Sequence, residues 1–138
     1  MQTDFFDAHG RHWADAESLF AEGRLANADH HYGIAAECGL KRLMLHFGMT
    51  MNQANDSPNQ RDDRKHVDGI WSRFEAYRSG HDQGVGYALS SENPFHDWHV
   101  AQRYVNQSSF TQTRVKPHQN GANLVCALVK KALKDGLI

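Results

Sequence analysis

The chain has 138 residues, 40% of them apolar or aromatic and 22% charged, with a formal net charge of -1. That length fits a single domain spanning residues 1–138 and excludes two ordinary domains, a large barrel enzyme or a dinucleotide fold with a separate substrate domain. No stretch approaches the ~20 apolar residues of a membrane span, and the first residues lack a basic-then-apolar leader pattern, so a cytoplasmic protein with no membrane partner is expected.

The elements read as helices. Phe6, Trp13, Ala16 and Phe20 recur at helical spacing and predict a first helix near residues 4–22, interrupted by Gly23. The strongest periodicity follows. Ala28, Tyr32, Ala35, Ala36, Gly39, Leu40, Leu43 and Phe47 keep one face apolar and predict a long helix over 25–47, ended by Gly48. Glu37 and Lys41 stand four apart on its polar side, in the order that favours a helix ion pair. They are expected to be structural or partner-facing, not catalytic.

Residues 49–61 are polar and dense in turn formers, and predict a loop. Val67, Ile70, Trp71, Phe74 and Tyr77 predict a third helix near 62–78. The glycine-rich run from Gly80 to Gly86 matches no phosphate-binding fingerprint and predicts a plain loop, with a possible short strand at 85–89. Asn93 and Pro94 form an N-cap and first-turn pair that opens a fourth helix through Phe95, Trp98, Ala101 and Val105. A polar link leads to Pro117 and a last helix near 117–135, closed by Gly136. The expected fold is all-α, an antiparallel bundle of about five helices.

Charge is unevenly spread. From residue 100 onward there are six bases and one acid, against nine bases and fifteen acids before it. A basic C-terminal third on an acidic body suits an anionic ligand, or a basic helix packed beside acidic ones. Cys38 and Cys126 fall on apolar stripes and read as buried thiols. Ten histidines include the pairs His9/His12 and His96/His99. Neither belongs to a set of three or four metal ligands, so surface histidines and no metal or cofactor are expected.

The remaining chemistry lies in Arg103, Tyr104, Arg114, Lys116 and His118. A guanidinium holds a phosphate through two parallel hydrogen bonds. An imidazole moves protons near neutral pH. Together such groups cleave RNA without metal, using the 2′-hydroxyl as nucleophile. The bland alternative pairs Arg103 with an acid inside the bundle and leaves Arg114 and His118 solvated.

The stretch from Arg24 to Met44 resembles the signature helix of the HEPN superfamily, which often reads A-x-H-x-x-G-x-A-x-E-x-x-L-K-x-L. Ala28, His30, Gly33, Ala35, Glu37, Leu40, Lys41 and Leu43 fit it. The segment from Trp98 to Arg103 and Tyr104 is similar to the "RY" segment before the last helix of such proteins. The resemblance implies a mostly antiparallel helical bundle, often a dimer. Many members are metal-independent RNases, several of them toxins neutralised by a nucleotidyltransferase-like partner, while others serve as binding or assembly modules. Nuclease members carry an Arg and a His a few residues apart near the start of a late helix. Arg114 and His118 are closer together than that pattern, with Pro117 between them. Arg61/His66 and Arg24/His30 have the spacing but lie elsewhere in the chain.

The expected function is a module binding nucleotide, RNA or a partner protein, in a toxin–antitoxin or defence cassette. Arg103, Tyr104, Arg114, Lys116 and His118 are its expected ligand-binding residues, gathered where the fourth and last helices meet. A homodimer and a nucleotidyltransferase-like antitoxin are its expected partners. One alternative is a metal-independent RNase using Arg114 and His118 as a displaced pair. Another is a structural helical adaptor.

Overall fold

The computed structural model of the chain covers residues 1–138. Asp4 starts α1 (Phe5–Ala21) by accepting hydrogen bonds from the Phe6 and Asp7 amides at 3.0 Å. Gly23, at φ 74°, takes the left-handed conformation that ends it and turns the chain back into α2 (Leu25–His46). The long central helix forms as its periodicity predicts. Ala28, Tyr32, Ala35, Ala36, Leu40, Leu43 and Met44 are all fully buried. Three faces of α2 are covered, by α1, α3 (Val67–Ser79) and α4 (Gln112–Lys134), so it is the axis of the bundle.

Two glycines of α2 make that possible. A side chain at Gly33 would overlap the Trp98 indole, and one at Gly39 would strike Val125 and His9. These are close approaches of neighbouring elements onto bare helix backbone. A single cluster of 22 buried apolar residues runs through the molecule, with Trp71, Trp98, Phe74 and Phe95 among its largest members. The architecture is an all-α helical bundle, its four α-helices supplemented by short 3-10 segments.

Several boundaries differ from expectation. The loop after α2 contains a two-residue antiparallel pair, β1 (Met51–Asn52) with β2 (Ser57–Pro58), turned by Asp56 at φ 52°. The third helix begins at Val67, not near 62. Arg61–Arg64 is a separate 3-10 turn, because fully buried Asp63 accepts from Arg73 and from the Tyr77 hydroxyl, each at 2.6 Å, and is thereby pinned against α3. Residues 82–87 form a 3-10 segment and no strand.

The expected fourth helix is broken into turns. Asn93 does cap, accepting from the Phe95 amide at 2.9 Å. Yet His99 then caps again, with Gln102 returning a bond to the His99 amide at 3.2 Å, and the chain restarts as a 3-10 turn at Val100–Tyr104. This break sends Phe95, Trp98 and Gln102 all into the interior. The last helix starts earlier than expected, at Gln112, capped by Thr111. Pro117 sits inside it on the exposed side, where its missing N–H leaves one carbonyl of the first turn without a helical donor.

Candidate functional site

Asp29, near the start of α2, organises the site. It is fully buried, and three groups from later in the chain converge on it. One carboxylate oxygen accepts from His118 Nδ1 at 2.5 Å and the other from Gln102 Nε2 at 2.5 Å. Its main-chain carbonyl accepts from the Trp98 indole N–H at 3.0 Å. His118 Nε2 donates in turn to Asp97 at 2.8 Å, and Arg114 holds Asp97 through its side chain and its carbonyl, at 3.3 and 3.0 Å. The His118 ring stacks on Phe95. Both its nitrogens face carboxylates, so the ring is a doubly donating imidazolium. Burial pushes its pKa down, but the hydrogen bonds and charges of Asp29 and Asp97 outweigh that and hold it above the ordinary histidine value.

This anchor places the Val100–Tyr104 turn beside the beginning of α2. Between them lies a pocket of about 220 Å³, lined by Arg24, Asn27, Gln102, Arg103, Val105 and Gln107 among others. No side chain caps α2, so its first-turn amides lack hydrogen-bond acceptors within the helix. Arg103 forms no ion pair, and Arg24 only reaches Glu22 at 4.0 Å. Tyr104 is 79% exposed and lies under the Arg103 guanidinium, 4.9 Å from ring centre to Cζ. Two arginines and a positive helix end face one polar pocket, with an open aromatic ring at its edge.

A row of imidazoles continues from there along α2. His30 stacks on Trp98, His31 stands edge-on to His30, and His31 and His12 share a hydrogen bond between their Nδ1 atoms at 2.9 Å. His30 Nδ1 is buried with no hydrogen-bond partner. Burial, then the charges of His31 and Arg103, hold the His30 pKa below its usual value. About two turns onward, Glu37 bonds Lys41 at 2.7 Å and His66 Nδ1 at 3.0 Å. The Glu37 hydrogen bond raises the His66 pKa. Glu37 and Lys41 are therefore not on an exposed polar face. Their side chains are 12% and 6% exposed, because Phe5 of α1 and His66 close over them. No three His, Cys, Asp or Glu side chains converge in a way that would hold a metal ion.

The five expected site residues do not gather at one place. Arg103 lines the α2 pocket, while Tyr104 lies outside its lining and touches it only through the Arg103 guanidinium. Arg114 and His118 meet through Asp97, and His118 is fully buried, not solvated. Lys116 turns to Gln119, at 2.8 Å, and to the Phe20 ring. The alternative that Arg103 pairs with an acid is not what forms. Of the histidine pairs, His9 is buried and bonds the Ala35 carbonyl at 2.8 Å, while His96 and His99 lie outside any α-helix. Cys38 and Cys126 are buried free thiols, and burial followed by the nearby Glu37 charge pushes the Cys38 pKa up to about 12.

Asp29, Arg24, His30 and His66 were missing from the expected site. The Arg24/His30 and Arg61/His66 spacings and the adjacent His30-His31 doublet were the available signals. No helix is long and apolar enough to cross a membrane. No family model, curated protein or solved structure matches the chain.

Proposed function

We propose that the chain is a HEPN-like module that binds a phosphate-bearing ligand, RNA or a nucleotide, at the pocket beside the start of α2. The observation that carries this reading is the convergence of Arg24 and Arg103 on an uncapped helix N-terminus. Backbone N–H groups and the helix dipole favour an anion there, and a guanidinium adds bidentate hydrogen bonds to phosphate oxygens. Tyr104 supplies a face on which a base stacks. His118 acts from inside as a positioning residue, since Asp29 and Gln102 connect it to the turn that carries Arg103.

Fluorescence anisotropy with a labelled single-stranded RNA and with a nucleotide, each at two salt concentrations, tests this. Affinity that falls with salt, and is severalfold weaker in Arg103→Ala and Arg24→Ala, is expected. No affinity at low salt, or arginine variants that bind as wild type does, overturns it. A role in a toxin–antitoxin or defence cassette, beside a nucleotidyltransferase-like partner, remains part of the same proposal and rests on the sequence resemblance.

One observation favours metal-independent RNA cleavage as a second reading. His66 is half-exposed, and with Nδ1 on the Glu37 carboxylate its Nε2 is left to accept a proton from a 2′-hydroxyl. The 2′-oxygen then attacks the adjacent phosphorus, the bond to the 5′-oxygen breaks as that oxygen takes a proton from water, and a 2′,3′-cyclic phosphate forms. RNA cleavage in the presence of a chelator, lost in His66→Ala, is the expected result. Intact RNA, or cleavage that survives the substitution, removes this reading and leaves the binding reading in place.

A further inference from the structure

Residues 95–104 belong to no α-helix, and their polar ties run to two points in the framework. Trp98 and Gln102 both end on Asp29 of α2, at its carbonyl (3.0 Å) and its carboxylate (2.5 Å). Asp97 ends on His118 Nε2 of α4 at 2.8 Å. His118 Nδ1 closes the circuit to Asp29 at 2.5 Å. The segment, α2 and α4 therefore meet at one fully buried imidazole.

Few charged groups surround that ring. Asp29 faces it from α2 and Asp97 from the 95–104 segment, while Arg114, on the preceding turn of α4 itself, pairs with Asp97. His30, next to Asp29 on α2, is kept neutral near pH 7 by burial. Asp29 thus has no cation except the imidazolium. With the proton in place, His118 and Arg114 match the two carboxylates. Without it, one ring nitrogen turns a lone pair toward a carboxylate, and a buried negative charge is left unmatched. An unpaired buried charge is costly, and admitting water relieves it. The 95–104 segment is the part free to give way, because short turns hold it while the apolar core joins α2 to α4.

We propose that the 95–104 segment is a proton-latched gate on the α2 pocket: a proton on His118 holds it shut, and loss of that proton lets Trp98 and Gln102 part from Asp29 and carries Arg103 away from Arg24. Arg103 follows Gln102 directly in the chain, so freeing Gln102 moves one pocket arginine while the other stays with α2. The gate is a property of the fold, and its effect on a ligand rests on the phosphate-binding reading of the pocket. Burial opposes the proton on His118, but in the closed form the hydrogen bonds and charges of Asp29 and Asp97 outweigh it. In the open form the ring is an ordinary histidine. The open population is therefore flat below about pH 6.5 and grows by up to about tenfold per pH unit from there to the closed-form value.

Relaxation-dispersion NMR of the full chain tests the proposal, with the Trp98 indole N–H reporting the gate. The Trp13 indole N–H, bonded to Asn123 at 2.9 Å on another face, is the reference. Between about pH 6.5 and about pH 8 the open population at Trp98 is expected to rise severalfold or more, with no change at Trp13. His118→Gln is expected to abolish the pH dependence. Should that variant not fold, Asp97→Asn removes the half-exposed carboxylate and is expected to lower the pH at which the His118 ring titrates. A Trp98 signal indifferent to pH over this range, or a His118 ring already neutral at about pH 7, overturns the gate. RNA and nucleotide affinities are expected to fall over the same range. If Trp98 switches and neither ligand binds at any pH, the gate stands and the phosphate-binding reading fails. If a ligand binds equally well with the gate open, the link from His118 to Arg103 is overturned.

Discussion

His118 and Asp29 are 89 positions apart in the chain, yet their side chains meet at 2.5 Å with neither exposed to solvent. The pair locks α4 to the first turns of α2. The His118 pKa is raised in the folded chain, from an ordinary value of about 6.5. Its contribution to stability is therefore fully present below that value and is lost as pH rises through the folded value. Urea unfolding midpoints at about pH 6 and about pH 9 are expected to show wild type more stable at the lower pH through this group. His118→Gln is expected to lose that slope. It also strands a buried carboxylate, so it is expected to cost roughly 3–5 kcal/mol.

Glu37 and Lys41 form a second buried charge pair. If they were exposed, neutralising both would cost only about 0.3–0.5 kcal/mol. Buried as they are, Lys41→Ala leaves Glu37 uncompensated on that side, at a cost of roughly 3–5 kcal/mol. Thermal unfolding of the single variant is expected to show a drop of many degrees. The double variant Glu37→Leu with Lys41→Met, which removes both charges and keeps the volume, is expected to recover most of the loss.

Leu40 lies in the second half of α2 and is fully buried. Truncation to alanine removes its packing and leaves a cavity, at a cost of roughly 2–5 kcal/mol. Denaturant titration is the check. A loss under about 1 kcal/mol would place Leu40 at the surface.

Gly33 is expected to be as sensitive as any apolar core position, even though replacing it with alanine raises helix propensity. The Trp98 indole occupies the space a methyl group would take. Gly33→Ala is expected to displace Trp98 and break its 3.0 Å bond to the Asp29 carbonyl. A shift in tryptophan fluorescence, weaker RNA or nucleotide binding through the displaced Arg103, and lower stability are expected together. An unchanged emission spectrum would argue against the displacement.

The α2 helix was fully legible because one apolar stripe persisted over five turns and no other element competed for it. The stretch after Asn93 was not. Its apolar spacing fits a helix, but the His99 and Gln102 side chains bond the backbone and stop one from forming. Local side-chain hydrogen bonds of that kind carry no periodic signal. The sequence singled out Arg103 and Tyr104 because they stand in a basic region, and the fold leaves Arg103 without an ion pair and Tyr104 exposed. The partnership of His118 with Asp29 was invisible, since it depends on how distant segments fold together. Likewise, the spacing of Glu37 and Lys41 revealed their pairing but not that Phe5 and His66 bury it.

The stretch from Gly80 to Thr111 owes its order to a few inserted side chains, because only short 3-10 turns lie along it. Phe95, Trp98 and Gln102 act as plugs in the α2–α4 framework. Two tiers of amide hydrogen exchange follow. Main-chain protons of the α2 interior exchange only when the bundle unfolds as a whole. Those around Trp98 and Arg103 exchange whenever the plugs withdraw, an opening set by a handful of contacts and smaller than global unfolding. The wall that carries the α2 pocket is thus less protected than the α2 interior, and a ligand bound in that pocket would reveal itself as slowed exchange there before any change at the core.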